Sequence, residues 1–100
     1  MEKYNVKISP AAQRDFLVVA EHLDALPPDE AMQAYDLILN ETDFLQTSPA
    51  SCSFARDMQL RLRGYRVLTV GAYLIFFVIS GNTVDIRRIL YAKRRYERFV

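Results

Sequence analysis

The spacing of apolar residues changes along the chain, from a helical period in the first half to a strand-like period in the second. Residues 4–8 alternate apolar and polar side chains and predict a short strand. Ser9 and Pro10 predict the start of a helix, because a serine hydroxyl caps unpaired amides and proline suits the first helical position. Apolar residues at helical spacing extend this helix to about Leu26: Ala12, Phe16, Val19, Ala20 and Leu23.

A second helix is predicted after the break at Pro27 and Pro28, since proline lacks the backbone amide and restricts the residue before it. Asp29 and Glu30 suit the positive end of this helix. Its buried stripe, which ends near residue 45, consists of Ala31, Tyr35, Ile38, Thr42 and Leu45. Two helices joined by so tight a turn predict an antiparallel hairpin.

The second half of the sequence favours strands. Residues 46–54 are rich in turn formers and predict a loop. Residues 60–63 alternate leucine and arginine, and residues 65–70 are rich in β-forming side chains, so β-structure is predicted from Leu60 onward.

Two turns divide this second half, one at Gly71-Ala72 and one at Ser80-Gly81-Asn82. Residues 73–79 between them are continuously apolar, which is typical of a central strand covered on both faces. Residues 83–91 predict the last strand, and residues 93–99 predict a short terminal helix.

The predicted elements follow the order β-α-α-β-β-β with a short C-terminal helix, which belongs to the α+β class. We expect one domain over residues 1–100, with the helical hairpin on one face of a mostly antiparallel, twisted sheet. The opposite face, with arginine side chains from the last three strands, is expected to be free to bind a partner.

Charge is distributed unevenly along the chain. Residues 1–55 contain three basic and nine acidic side chains, a net charge of −6, whereas residues 56–100 contain ten basic and three acidic ones, a net charge of +7. The overall charge of +1 therefore conceals a basic half that suits a polyanionic partner, either a nucleic acid or an acidic protein segment.

Composition excludes several classes of protein. Cys52 is the single cysteine, so an intrachain disulfide is impossible and a reducing cytoplasm is the simplest location. The first residues lack an apolar signal core, and the apolar run at residues 67–79 falls short of the ~20 residues that span a bilayer. The sequence thus predicts a cytoplasmic protein that enters no membrane. It shows no metal-ligand cluster, phosphate loop or nucleophile motif, so we expect no cofactor and no metal.

Four segments in order resemble the RelE/ParE toxin superfamily. They are residues 8–16 (Ile-Ser-Pro-Ala-Ala-Gln-Arg-Asp-Phe), residues 65–67 (Tyr-Arg-Val), residues 71–77 (Gly-Ala-Tyr-Leu-Ile-Phe-Phe) and the closing residues 84–96. The resemblance implies the toxin of a type II toxin–antitoxin module. It also implies a cognate antitoxin whose C-terminal segment wraps around the toxin, and a toxin that is a monomer or dimer when alone.

The resemblance leaves two activities open. The RelE branch of the superfamily cleaves messenger RNA on the ribosome without a metal, and the ParE branch blocks DNA gyrase. RNA cleavage requires a base, an acid and cations for the phosphate, and arginine suits the last role because its planar fork binds phosphate. The residues that would be catalytic in a RelE-like site are Arg66, Arg88, Tyr91 and Arg94. The residues expected to bind a target or antitoxin are Arg61, Arg63, Arg87, Lys93, Arg95, Tyr96 and Arg98.

Departures from the nuclease pattern favour the ParE branch. Leu74 and Leu68 stand where RelE-like nucleases carry an arginine and a lysine, and Tyr91 stands where a histidine is common. A gyrase-directed toxin is therefore the leading hypothesis. The alternatives are a RelE-like messenger RNA endonuclease, and a basic protein-interaction module or inactive toxin homologue.

Overall fold

A computed structural model describes residues 3–91, in which two long helices lie against a four-stranded sheet. The elements are β1 (Asn5–Ile8), α1 (Pro10–Asp24), α2 (Pro28–Thr47), a 3-10 turn (Pro49–Ser51), α3 (Met58–Leu62), β2 (Arg66–Val70), β3 (Tyr73–Ser80) and β4 (Thr83–Tyr91). The predicted α+β class is confirmed. The terminal helix predicted at residues 93–99 lies outside the described residues.

The strands are arranged in the order β1-β4-β3-β2, with β1 parallel to β4 and the other pairs antiparallel. Two-residue loops at Gly71-Ala72 and Gly81-Asn82 join the antiparallel strands, as the sequence predicted. The pairing of β1 ends at Ile8, which lies opposite Ile86. Beyond that point β4 has no strand on this side, so the backbone amides there need another partner.

The start of α1 is attached to β4 through Ser9. Its hydroxyl oxygen accepts a hydrogen bond from the Ala12 amide at 3.2 Å, which confirms the predicted cap. The same hydroxyl donates to the Arg87 carbonyl at 2.9 Å, and the Ser9 amide donates to the Ile86 carbonyl. These bonds fix α1 where β1 leaves the edge of β4 exposed.

Two apolar clusters cover the two faces of the sheet. The cluster under the helices contains Ala12, Leu45, Cys52, Val70, Ile75, Phe77, Val84 and Ile86. The cluster on the other face contains Ala55, Leu60, Phe76 and Leu90. Strand β3 is therefore covered on both faces, as predicted. Ala55 and Leu60 pack against part of the second face, so this face is less open to a partner than the sequence predicted.

The helical stripes are less buried than predicted. In α1, Ala12, Val19 and Leu23 are buried, but Phe16 is 36% exposed. In α2 only Leu45 of the predicted stripe is fully buried. A cavity of about 260 Å³ remains between the two helices and the sheet, and Phe16 forms part of its wall.

Residues 60–63 were predicted as β-structure, and that prediction was wrong. The Asp57 carboxylate accepts the Leu60 amide at 3.1 Å and caps α3. At the other end Gly64 has φ +82°, and hydrogen bonds from Tyr65 to the Leu60 carbonyl and from Gly64 to the Arg61 carbonyl close a Schellman turn. The two end signals outweigh the alternating pattern, and the helical turn buries only Leu60 of the two leucines while Leu62 stays 81% exposed.

Gly64→Ala is expected to destabilise the protein by about 1–2 kcal/mol, because a side chain resists the left-handed conformation. Gly64→Asn is the matched control and is expected to lose less, since asparagine tolerates that conformation. Chemical denaturation of both variants measures the difference. Equal losses would show that the Schellman turn does not end α3.

Candidate functional site

Strand β4 carries one extra residue opposite the middle of β3. Phe76 pairs with Arg88 whereas Phe77 pairs with Ile86, so Arg87 has no partner and forms a β-bulge. The bulge reverses the faces that the following side chains occupy. Leu90 joins the second cluster and Ile89 packs against the cluster under the helices. Arg88 is two residues before Leu90 and pairs with Phe76, so its side chain leaves the sheet on the same face as Leu90.

The Asp15 carboxylate of α1 binds β4 just beyond the bulge. One oxygen, Oδ2, accepts Arg88 Nε at 2.7 Å and the Ile89 amide at 2.9 Å, and Oδ1 accepts the second Arg88 nitrogen, Nη2, at 3.0 Å. The two side chains are only 22% and 14% exposed. The hydrogen bond with Asp15 raises the pKa of Arg88 above its usual value despite partial burial. Arg88 therefore helps to join α1 to the sheet.

Arg66 is held by the loop that precedes α3. Its Nη1 donates to the carbonyl oxygens of Cys52 at 2.7 Å and of Ala50 at 3.2 Å. The guanidinium carbon lies 4.0 Å from the centre of the Phe54 ring, a cation–π contact. Through these contacts the Arg66 side chain holds residues 50–54 against β2.

Tyr91 lies at the mouth of a cavity between the helices and the β2–β3 turn. The cavity, of about 450 Å³, is bordered by His22 of α1 and by both Tyr73 and Tyr91. The two tyrosine rings are 5.8 Å apart at a 55° tilt. Burial, and to a lesser degree Tyr91, raises the pKa of Tyr73. Tyr91 is 37% exposed and thus accessible to a ligand.

Within residues 3–91, the two predicted catalytic arginines, Arg66 and Arg88, leave opposite faces of the sheet. Arg66 alternates with Leu68 and Val70 of the cluster under the helices, whereas Arg88 leaves the opposite face. Leu68 and Leu74 likewise pack into different clusters.

Of the residues predicted to bind a partner, Arg61 lies in α3 and Arg63 caps its C-terminus, both exposed. Arg87 is exposed and forms an ion pair with Asp85 at 3.0 Å. Arg94 and the remaining predicted residues lie outside the described ones: Lys93, Arg95, Tyr96 and Arg98.

Comparison with known proteins identifies the family. The family model described as the ParE toxin of type II toxin–antitoxin system, parDE, matches residues 6–96. The chain belongs to the ParE toxin family. It is accordingly a toxin of the type II class, and the superfamily inferred from its motifs is confirmed. A search of curated protein sequences finds no match.

Solved structures share the fold of this ParE-family toxin. The chromosomal ParDE system from P. aeruginosa aligns with a TM-score of 0.69 at 20% identity, over 90% of this chain and 97% of that one. The RelBE2 toxin–antitoxin complex from Mycobacterium tuberculosis aligns with a TM-score of 0.55 at 22% identity, over 93% and 97%. The RelB–RelE complex from Methanococcus jannaschii aligns with a TM-score of 0.50 at 19% identity, over 94% and 99%.

Sequence reasoning missed Asp15, which is central to this region of the toxin. A signal was present, because Asp15 follows Ala12 by three residues and precedes Val19 by four, and so lies on the buried stripe of α1. A charged residue on such a stripe implies a partner on the facing element.

Residues 3–91 include no group of histidine, cysteine, aspartate or glutamate side chains that could hold a metal ion. Within the same residues no helix is both long and apolar enough to cross a membrane.

Asp15→Ala is expected to lower the free energy of unfolding by roughly 2–4 kcal/mol, because it removes two charge-assisted hydrogen bonds from a partly buried guanidinium and the partner of the Ile89 amide. Asp85→Ala is the control: it breaks the exposed pair with Arg87 and is expected to cost less than about 1 kcal/mol. Urea denaturation measures both. Equal losses would contradict a special role for Asp15.

Arg66→Ala is expected to speed the reaction of Cys52 with a thiol reagent on the order of ten-fold, because losing two hydrogen bonds of about 1 kcal/mol each lets the loop open. Cys52 is buried, and burial raises the pKa of its thiol, so the native protein should react slowly. Arg63→Ala, at an exposed position, should react at the wild-type rate. If both variants react alike, Arg66 does not hold the loop.

Proposed function

We propose that this ParE-family toxin acts by binding a protein target, DNA gyrase, rather than by cutting RNA. One observation supports the proposal most strongly. Both arginines that a RelE-like site would use within residues 3–91 have their guanidinium groups engaged by other parts of the chain. An arginine that already binds a carboxylate or carbonyls would have to break those bonds before it could bind phosphate.

The surroundings of Arg66 and Arg88 also disfavour binding of a phosphate. Asp15 places a negative charge against Arg88, and that charge would repel an approaching phosphate. Arg66 and Arg88 leave opposite faces of the sheet, which disfavours contact of both with one phosphate. Leu68 and Leu74 fill their positions with apolar side chains packed into the two clusters.

The toxin is proposed to work in the cytoplasm under the control of a cognate antitoxin, as a monomer or dimer when alone. The similar solved structures are of a ParDE system and of two toxin–antitoxin complexes, which supports a partner of that kind. The basic second half of the chain suits an acidic antitoxin segment.

One observation favours the alternative, cleavage of messenger RNA on the ribosome. The Tyr91 side chain is 37% exposed and borders the same cavity as His22, so a phenol and an imidazole line one site. Such a pair has the proton-transfer groups that RNA cleavage needs.

Two assays on the same purified protein distinguish these functions. Wild-type toxin is expected to inhibit supercoiling by purified gyrase and to leave messenger RNA uncut when added to translating ribosomes. Codon-linked cuts that disappear in Arg66→Ala or Arg94→Ala would contradict the proposal. Tyr91→Phe removes only a hydroxyl and keeps the ring pair with Tyr73, so it should inhibit gyrase as the wild type does. Selective loss of RNA cutting in Tyr91→Phe would establish the alternative.

A further inference from the structure

The surface around α3 combines exposed apolar side chains with exposed arginines. We call it the α3 surface and define it by Phe54, Arg56, Met58, Arg61, Leu62 and Arg63. Leu62 is 81% exposed, Met58 is 67% exposed and Phe54 is 41% exposed. Leu62 is the most exposed large apolar residue among residues 3–91.

Folding does not account for these apolar side chains. Leu60, which is 3% exposed, attaches α3 to the second cluster, and Ala55 secures the segment before it. Asp57 and Gly64 define the two ends of the helix. Leu62 and Met58 therefore keep apolar area in water without adding to the core, which is a feature of surfaces that bind other proteins.

The charged side chains in this part of the chain are mostly basic. Asp57 is the single carboxylate within residues 54–63, and its Oδ1 is already engaged by the Leu60 amide. Arg56, Arg61 and Arg63 form no ion pair with any of residues 3–91. Arginine is enriched at the energetic centres of interfaces, and three guanidinium groups that have no carboxylate partner among residues 3–91 favour an acidic partner.

We propose that the α3 surface is the target-binding surface of the toxin, and that its occupant is an acidic protein surface with an apolar recess for Leu62. The proposal rests on the proposed function, because it assigns the site through which a protein target is held. A cavity of about 410 Å³ between residues 53–56 and the sheet extends the surface and can receive a side chain of the partner.

A protein suits this surface better than a nucleic acid does. Single-stranded nucleic acids bind by stacking bases on aromatic rings. Phe54 is the single aromatic residue of the α3 surface, and the Arg66 guanidinium already covers one of its faces. Leu62 and Met58 offer a nucleic acid no stacking partner, but they can fill a recess in a protein.

The experiment compares Leu62→Glu and Arg61→Glu/Arg63→Glu with two controls. Met32→Glu places the same charge at an apolar site of α2 that is 68% exposed, and Arg14→Glu reverses an exposed charge on α1. The two test variants are expected to need on the order of ten-fold more protein, or more, to inhibit purified gyrase. They should also lose growth arrest on expression, whereas the controls behave as wild type. Thermal unfolding checks that all four remain folded.

The outcomes separate this inference from the proposed function. If the wild type inhibits gyrase and the test variants inhibit it equally, the α3 surface is not the binding surface although the gyrase proposal stands. If the wild type arrests growth without inhibiting gyrase, gyrase is not the target. Growth arrest by the same variants then decides the inference: loss in the test variants alone supports the α3 surface, and retention overturns it.

The last measurement is the binding of a single-stranded RNA oligonucleotide, followed by fluorescence anisotropy at two salt concentrations. Salt-sensitive RNA binding that is lost in Arg61→Glu/Arg63→Glu but kept in Leu62→Glu would overturn the proposal of a protein occupant. Absence of such binding, together with weakened gyrase inhibition in Leu62→Glu, supports it.

Discussion

The Asp15 carboxylate joins the helical half of this toxin to its sheet. Strand β1 stops at Ile8, and β4 continues past it with an amide that no strand can bind. This amide belongs to Ile89, and it donates a hydrogen bond to the Asp15 carboxylate. The two oxygens of the same carboxylate also accept hydrogen bonds from Arg88, which makes the pair bidentate. A charged pair at a partly buried edge is stable only when its hydrogen bonds are complete, and here each carboxylate oxygen is used. The position of α1 and the path of β4 towards Tyr91 depend on this contact.

The same contact changes which arginines are available to a partner. A basic half of the chain suggests one continuous binding face, yet among residues 3–91 some of its arginines are engaged by the chain itself and others are not. Arg66 and Arg88 are engaged by carbonyl and carboxylate groups of the chain itself. Arg56, Arg61 and Arg63, which lie in or next to α3, pair with no carboxylate of residues 3–91. Membership of a toxin family does not by itself assign a role to each arginine, because the contacts of each side chain decide what it can bind.

Much of the fold could be predicted from local signals. The cap at Ser9, the break at Pro27 and the turn at Gly81 each act over a few residues, and the structure has all three. Helix α3 was missed because alternating leucine and arginine fit a strand, while the signals that end the helix lie outside the alternation at Asp57 and Gly64. The role of Arg88 was missed for another reason. Its partner is 73 residues away, and the bulge that directs it depends on the register of β3 and β4.

A double-mutant cycle on the free energy of unfolding is the most direct test of the claim that Asp15 and Arg88 act as one structural unit. It compares Asp15→Ala, Arg88→Ala and the double variant by urea denaturation. A coupling energy of roughly 1.5–3 kcal/mol is expected, because each single change removes both hydrogen bonds of the bidentate pair at a partly buried site. Single effects that add to within about 0.5 kcal/mol would contradict the account, since residues that act independently show no coupling.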